Sequence, residues 1–197
     1  MAVLTLNDPE VKLLRNTVSC FKNTRLIGRG TFCAVFETED ASRVLKLTTD
    51  RTHYAYLTDS CSPGGDHKPV VLADHGLLSY GQYEVPLYLV EVERLSPIPA
   101  RTYNSALAKR IVRYVQKHPD NLFPYLPEHV KGMSLEMAEF CEDLNSFVGS
   151  FDASADARFV NFMERDDGTL VFNDPVYDVK LRNRVEFQRY SRAAAHY

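Results

Sequence analysis

The chain changes texture at Ser96-Pro97-Ile98-Pro99-Ala100, and no single periodicity carries across that point. Before it, short runs alternate apolar and polar residues or stay apolar throughout: 31–37 around Phe32, Ala34 and Phe36, then 43–48, 70–78 and 83–95. These are strand patterns, and Pro86 places the start of the last one at an edge or a bulge. One short helix interrupts them, capped by Asp50, running through Tyr54 and Leu57 towards Asp59 and ended by SPGGD at 62–66. Beyond the two prolines the period becomes helical. Leu107, Ile111, Tyr114 and Val115 form one stripe. After a proline-bearing loop (Pro119, Pro124, Pro127), Ser134 caps a second helix with the stripe Met137, Cys141, Leu144 and Val148, and Phe140, Phe147 and Phe151 alongside. A hairpin follows over 158–164 and 169–174, turning at Asp166-Asp167-Gly168, and the remaining residues read as a basic helix. The expected architecture is α+β in two lobes, 1–95 mostly β and 96–197 mainly helical.

Composition narrows the function classes. Lys and Arg number 23 against 26 Asp and Glu, a formal charge of −3, which argues against a generally basic nucleic-acid-binding protein. The hydrophobic share of 45% is enough for a substantial core. No apolar run approaches the ~20 residues of a membrane span. MAVLTLNDPE lacks the charged start of a secretory signal, so a cytoplasmic protein is expected. Cys20, Cys33, Cys61 and Cys141 form no CxxC pair and read as free thiols, and the six histidines show no metal-ligand spacing.

Four features bear on chemistry. Gly28-Arg29-Gly30-Thr31 is a glycine turn between two strands, where backbone can approach a phosphate closely; a plain hairpin turn is the competing explanation. Lys46 lies inside the apolar run RVLKL, either on a wet strand face or reaching the phosphates that the turn covers. Asp156 and Asn161 have the spacing D-x-x-x-x-N directly after a helix, and Asp174 closes the next hairpin. Two carboxylates and an amide around one hairpin are hard oxygen donors of the kind Mg²⁺ takes.

Taken in order, these segments resemble the protein-kinase fold from about Leu26 to Val176. IGRGTFCAVF is similar to the glycine-rich loop, RVLKL to the V-A-I-K strand, DARFVN to the catalytic loop, and NDPV stands where D-F-G would be. TLVFNDPV, SFVGSFD and HYAYLTDSC bring the resemblance closest to the early serine/threonine protein kinases of short-tailed lytic bacteriophages. That resemblance implies an antiparallel β N-lobe with one short helix and a truncated, mainly helical C-lobe. It implies an ATP- and Mg²⁺-dependent kinase, made early in infection, that acts in the host cytoplasm on host proteins such as those of transcription and RNA processing. The implied roles are Gly28, Gly30 and Thr31 over the ATP phosphates and Lys46 on the α- and β-phosphates. Glu93-Arg94-Leu95 faces adenine through backbone groups. Asp156 orients the acceptor hydroxyl, and Asn161 and Asp174 hold Mg²⁺.

The sequence departs from the family pattern in several places. Cys33 replaces the third loop glycine, and Ser154-Ala155 stands where histidine and arginine would precede the catalytic Asp. The short helix holds no Glu to pair with Lys46, and Asp59 qualifies by position only. D-F-G becomes D-P-V, and too few residues follow Asp174 for a full activation segment. Spacing selects Asp156 as the catalytic Asp, whereas local context selects Asp152. Two alternatives therefore stand beside the kinase: a catalytically weak kinase-like protein that inhibits a host protein by binding it, and a small-molecule kinase of the aminoglycoside or choline type. The stretch 180–192, with Lys180, Arg182, Arg184, Arg189 and Arg192 against Glu186, is either a solvated helix face or a dock for an acidic partner or RNA.

Overall fold

A computed structural model describes residues 9–81, 85–118, 120, 122–184 and 186, and its secondary structure mixes helices with antiparallel sheet. None of the described helices is long and apolar enough to cross a membrane. The four cysteines are free thiols. The chain divides into two compact units. One gathers the described residues up to Tyr54, Val70–Arg94 and those from Asp178 on; the other gathers Ala55–Pro69 and Leu95–Tyr177.

The first unit is built on a five-stranded antiparallel sheet: β1 (Arg25–Arg29), β2 (Cys33–Glu37), β3 (Arg43–Thr48), β4 (Val71–Gly81) and β5 (Val85–Glu93), in the order β1-β2-β3-β5-β4. β3 is central and buried along its whole length after Arg43, so its continuous apolar reading reflects cover on both faces. One face carries Ala34, Phe36, Leu45, Leu47, Leu87 and Leu89, packed with Phe21 and with Val11 and Leu14 of α1 (Pro9–Thr17). That helix was not expected from the sequence, although Val11, Leu14 and Val18 have helical spacing. β4 runs past Leu78 to Gly81 and meets β5 with three register shifts, bends that suit an edge strand. Pro86 pairs with Tyr80 of β4, while the pairing of β5 with β3 begins only at Tyr88. Its missing N–H therefore falls where no β3 neighbour needs it.

The helix α2 (Arg51–Thr58) starts where Asp50 predicts. The Asp50 carboxylate accepts from the backbone of His53 (2.9 Å) and, across a large sequence gap, from that of Asp178 (3.0 Å).

The second unit holds α3 (Tyr103–Lys117) and α4 (Leu135–Ser150). Thr102 and Ser134 cap them, each accepting a backbone N–H three residues on at 3.1 Å. The α3 stripe buries Leu107, Ala108, Ile111 and Val115; Tyr114 sits at its half-buried margin. Around Phe172 the rings of Phe123, Phe140 and Phe162 gather at 5.7, 5.1 and 4.8 Å.

The expected hairpin is shorter than its sequence pattern. Its strands are β8 (Phe162–Glu164) and β9 (Leu170–Phe172), turning through Gly168 at φ 85°, and β6 (Ser96–Pro97) adds to the β8 edge. Residues Phe159–Asn161 form a single 3-10 turn instead of strand, because Asn161 N–H returns to the Arg158 carbonyl at 2.9 Å. The segment after Asp174 also begins differently from the helix expected. Val176–Asp178 is a strand, β10, paired with β7 (Ala153–Ala155), and helix starts only after it. Val185, Phe187, Arg189, Tyr190 and Arg192 of the basic tail lie outside the described residues; within them Arg182 pairs with Glu186 at 3.0 Å.

Candidate functional site

In the first unit, the glycine turn joins β1 to β2. Gly28 pairs with Val35 across a register shift, and Gly30 N–H donates to the Cys33 carbonyl at 2.8 Å. The far end of the turn is pinned at Phe32, whose carbonyl accepts Thr49 N–H at 2.8 Å and the hydroxyls of Thr48 and Thr49 at 3.2 and 3.3 Å. Neither glycine has a positive φ. A Cβ at Gly28 would meet Val35 at an ordinary 3.5 Å, and one at Gly30 would find nothing nearer than 3.8 Å. The plain-turn explanation required a backbone that only glycine adopts readily, and that requirement is absent. What glycine leaves at Gly30 and the exposed Thr31 is open backbone that a ligand can approach.

Lys46 sits in the middle of β3, opposite Val35 on β2 and Val90 on β5. It is 3% exposed, which corrects the reading of a lysine on a wet strand face. Strand alternation puts it on the face opposite Leu45 and Leu47, away from the core under α1. At the end of β5, Glu93 N–H donates to the Val70 carbonyl (3.0 Å) and Arg94 N–H to that of Ser42 (2.8 Å). The Glu93 carboxylate accepts Val70 N–H at 2.8 Å. Two of the three amides of Glu93-Arg94-Leu95 are therefore taken by the protein. The amide of Leu95, a buried residue of the second unit, has no backbone acceptor among the described residues.

In the second unit, two separated segments are tied into one loop system. Asn161, 5% exposed, donates its Nδ2 to the Asp156 carbonyl at 2.7 Å. Asp156 N–H donates to the Pro175 carbonyl at 2.6 Å, and the N–H groups of Asn173 and Asp174 reach the Asn161 carbonyl at 2.9 and 3.3 Å. Asp156, Asn161 and Asp174 are thus brought together through backbone. Because Asn161 spends its amide nitrogen on Asp156, its Oδ1 is left as an acceptor with no protein donor among the described residues. That atom and the Asp174 carboxylate are hard oxygen donors, and Mg²⁺ takes few protein ligands, filling its sphere with phosphate and water. The donor set fits. No cluster of three or more His, Cys, Asp and Glu side chains suited to a metal occurs among the described residues.

Asp152 has a different place. It follows the last turn of α4 with φ 55°, the left-handed conformation that ends a helix and that Asp tolerates.

Three neighbours were missed at the sequence level. Arg158 grips the Asp156 carboxylate with both arms of its guanidinium, Nε reaching Oδ1 at 2.7 Å. Its position two residues after Asp156 was the available signal. Tyr56, fully buried, donates its hydroxyl to the Phe172 carbonyl at 2.7 Å. Burial first, then the nearby charge of Asp174, raises its pKa well above the usual tyrosine value. Lys68 places its ammonium 5.6 Å from the Tyr56 ring centre and donates to the Ser62 hydroxyl at 3.1 Å. Burial lowers its pKa, and Asp59 partly offsets that shift.

No family model and no curated protein matches the chain. Among solved structures, it is similar to a thermostable mutant of aminoglycoside phosphotransferase APH(4)-Ia, determined as a ternary complex with AMP-PNP and hygromycin B. The two are 16% identical, with a TM-score of 0.27. The match covers 60% of this chain and 39% of that protein, about two fifths of the latter's length.

Proposed function

We propose that the chain is an ATP- and Mg²⁺-dependent serine/threonine protein kinase of a bacteriophage, acting on host proteins in the host cytoplasm early in infection. In this reading 1–95 is the N-lobe and 96–197 belongs to the C-lobe. The observation that carries it is the tie between residues 156–161 and 173–175, which leaves Asn161 Oδ1 open beside Asp174. Phosphoryl transfer asks a protein mainly for positioning and charge neutralisation. Gly28, Gly30 and Thr31 would cover the phosphates, Lys46 would neutralise charge on them, and Leu95 would offer its amide to the base. Asn161 and Asp174 would hold Mg²⁺, which would neutralise charge on the phosphates. Asp156 would receive the acceptor hydroxyl's proton.

A second reading is favoured by the Arg158–Asp156 pair. Both carboxylate oxygens of Asp156 face the Arg158 guanidinium rather than an open acceptor position, as expected of a kinase-like protein that works by binding a host target. Incubation of the purified protein with γ-labelled Mg-ATP and host lysate tests the two. Label on host proteins, lost in Asp174→Ala with the fold retained, supports the kinase. Absence of label together with stoichiometric capture of one host protein supports the binder.

A further inference from the structure

The acidic protein carries an unneutralised basic face on α3, far along the chain from the tail where its sequence placed the excess charge. The helix holds Lys109, Arg110, Arg113 and Lys117 and no acidic residue, against −3 for the whole chain. Lys109, Arg113 and Lys117 are exposed and recur every four residues, so they follow one another along one face at steps of about 6 Å. None of the three is ion-paired to a described residue. The Lys109 ammonium instead stands over the Phe159 ring, 5.4 Å from its centre.

Rings continue the face at the C-terminal end of the helix. Tyr114 stacks with His118 (3.8 Å, 24°) and with His129 (5.2 Å, 20°), its hydroxyl lying 3.3 Å from His129 Nδ1, and Tyr125 meets His129 edge-on at 5.0 Å. His118 is held by its Nδ1, which lies 2.7 Å from the Tyr114 carbonyl. His118 and Tyr125 are exposed, so outer ring faces remain open beside the cations. A merely solvated helix face has no need of ordered, stacked, exposed rings, and surface helices commonly set acids against such bases at i, i+4. The acids of the adjoining segment, Asp120 and Glu128, lie outside the helix.

We infer that α3 and the His118–Tyr114–His129–Tyr125 cluster form a binding surface for single-stranded nucleic acid. Lys109, Arg113 and Lys117 contact successive backbone phosphates, and His118 and Tyr125 stack on bases. Evenly spaced cations attract any polyanion, but open aromatic faces add affinity only for a ligand with unstacked bases, which separates this partner from an acidic protein and from duplex. The inference does not depend on phosphoryl transfer by the chain.

The test is fluorescence anisotropy of a labelled oligothymidylate against the full chain across a salt series, with polyglutamate and a DNA duplex as competitors. The oligonucleotide is expected to bind and to be displaced poorly by both competitors. Removing three phosphate contacts in Lys109→Gln/Arg113→Gln/Lys117→Gln should flatten the slope of log K against log salt by about 2, weakening binding at about 0.1 M salt roughly a hundredfold. His118→Ala/Tyr125→Ala should weaken the oligonucleotide about tenfold and leave the salt slope unchanged. An unchanged circular-dichroism spectrum qualifies each variant; a variant that fails this is replaced by the single substitution Arg113→Gln, expected to lower the slope by about 0.7. Polyglutamate competing as well as the oligonucleotide, with no effect of the ring substitutions, would assign the face to an acidic protein and overturn the inference. Absent oligonucleotide binding, or binding indifferent to the charge substitutions, overturns it equally.

Discussion

Replacing Gly30 by alanine separates a glycine kept for its backbone from one kept for a ligand. The position lacks a positive φ, and an added Cβ would meet no atom closer than 3.8 Å. The Gly30 N–H bond to Cys33 is unaffected by a methyl group on the Cα. The folded state therefore loses nothing, while the unfolded chain loses freedom, a stabilisation of about 0.4–1 kcal/mol. In a chain of this size that raises Tm by about 1–4 °C. Nucleotide binding should move the other way. If the turn covers phosphates, the methyl group holds them off the backbone, and the loss of one charge-assisted backbone hydrogen bond, about 1.5–3 kcal/mol, weakens affinity roughly ten- to a hundredfold. Scanning fluorimetry of the apo-protein and calorimetric titration with Mg-AMP-PNP read the two effects. Gly168→Ala calibrates the first: its φ of 85° puts alanine in the left-handed region, so Tm should fall instead. A lower apo Tm for Gly30→Ala would show that the glycine serves the fold. An unchanged nucleotide affinity would remove the turn from the site.

Other expectations follow from the same geometry. Lys46→Met keeps the buried volume of β3 without the charge, so phosphate transfer should vanish while Tm stays within a few degrees; activity in the folded variant would exclude Lys46 from the site. Nucleotide should raise Tm more in Mg²⁺ than in EDTA, by mass action on the folded state, and an equal rise would count against Asn161 and Asp174 as metal ligands. Asp50→Ala strips the acceptor from two backbone N–H groups and should cost about 2 kcal/mol, or about 4–8 °C, by thermal melt. Burial raises the pKa of the Cys141 thiol far above that of an exposed cysteine, so at pH 8 it is protonated as well as inaccessible. A thiol reagent should modify the exposed Cys61 quickly and Cys141 only after denaturant is added; rapid labelling of Cys141 in the native protein would contradict its burial.

Much of the framework was legible because it is written locally. β3 spans 43–48, as its apolar run indicated, since a central strand covered on both faces needs no alternation. Asp50, Ser134 and Gly168 lie at helix starts and in a turn, where their side-chain or backbone chemistry acts within a few residues. What escaped depends on partners distant in sequence. α1 is too short to be stable alone, and burying Val11 and Leu14 in the core cluster beneath the sheet supports it. Nothing in Arg158-Phe159-Val160-Asn161 tells strand from turn; the decision is made where Asn161 meets Asp156 and the backbone of 173 and 174. Lys46 reads the same in sequence whether its strand face is wet or dry, and only the folded chain shows it 3% exposed. The stacking of His118, Tyr114 and His129 is likewise invisible in residue spacing, because His129 comes from a separate turn. Sequence thus determined the central strand, the two long helices and the residue types available for phosphate and Mg²⁺, since periodicity and capping are properties of a single segment. The tertiary structure decided which groups are buried, which amide oxygen is left open and which carboxylate is gripped, because each of those outcomes needs a partner that the segment does not itself contain.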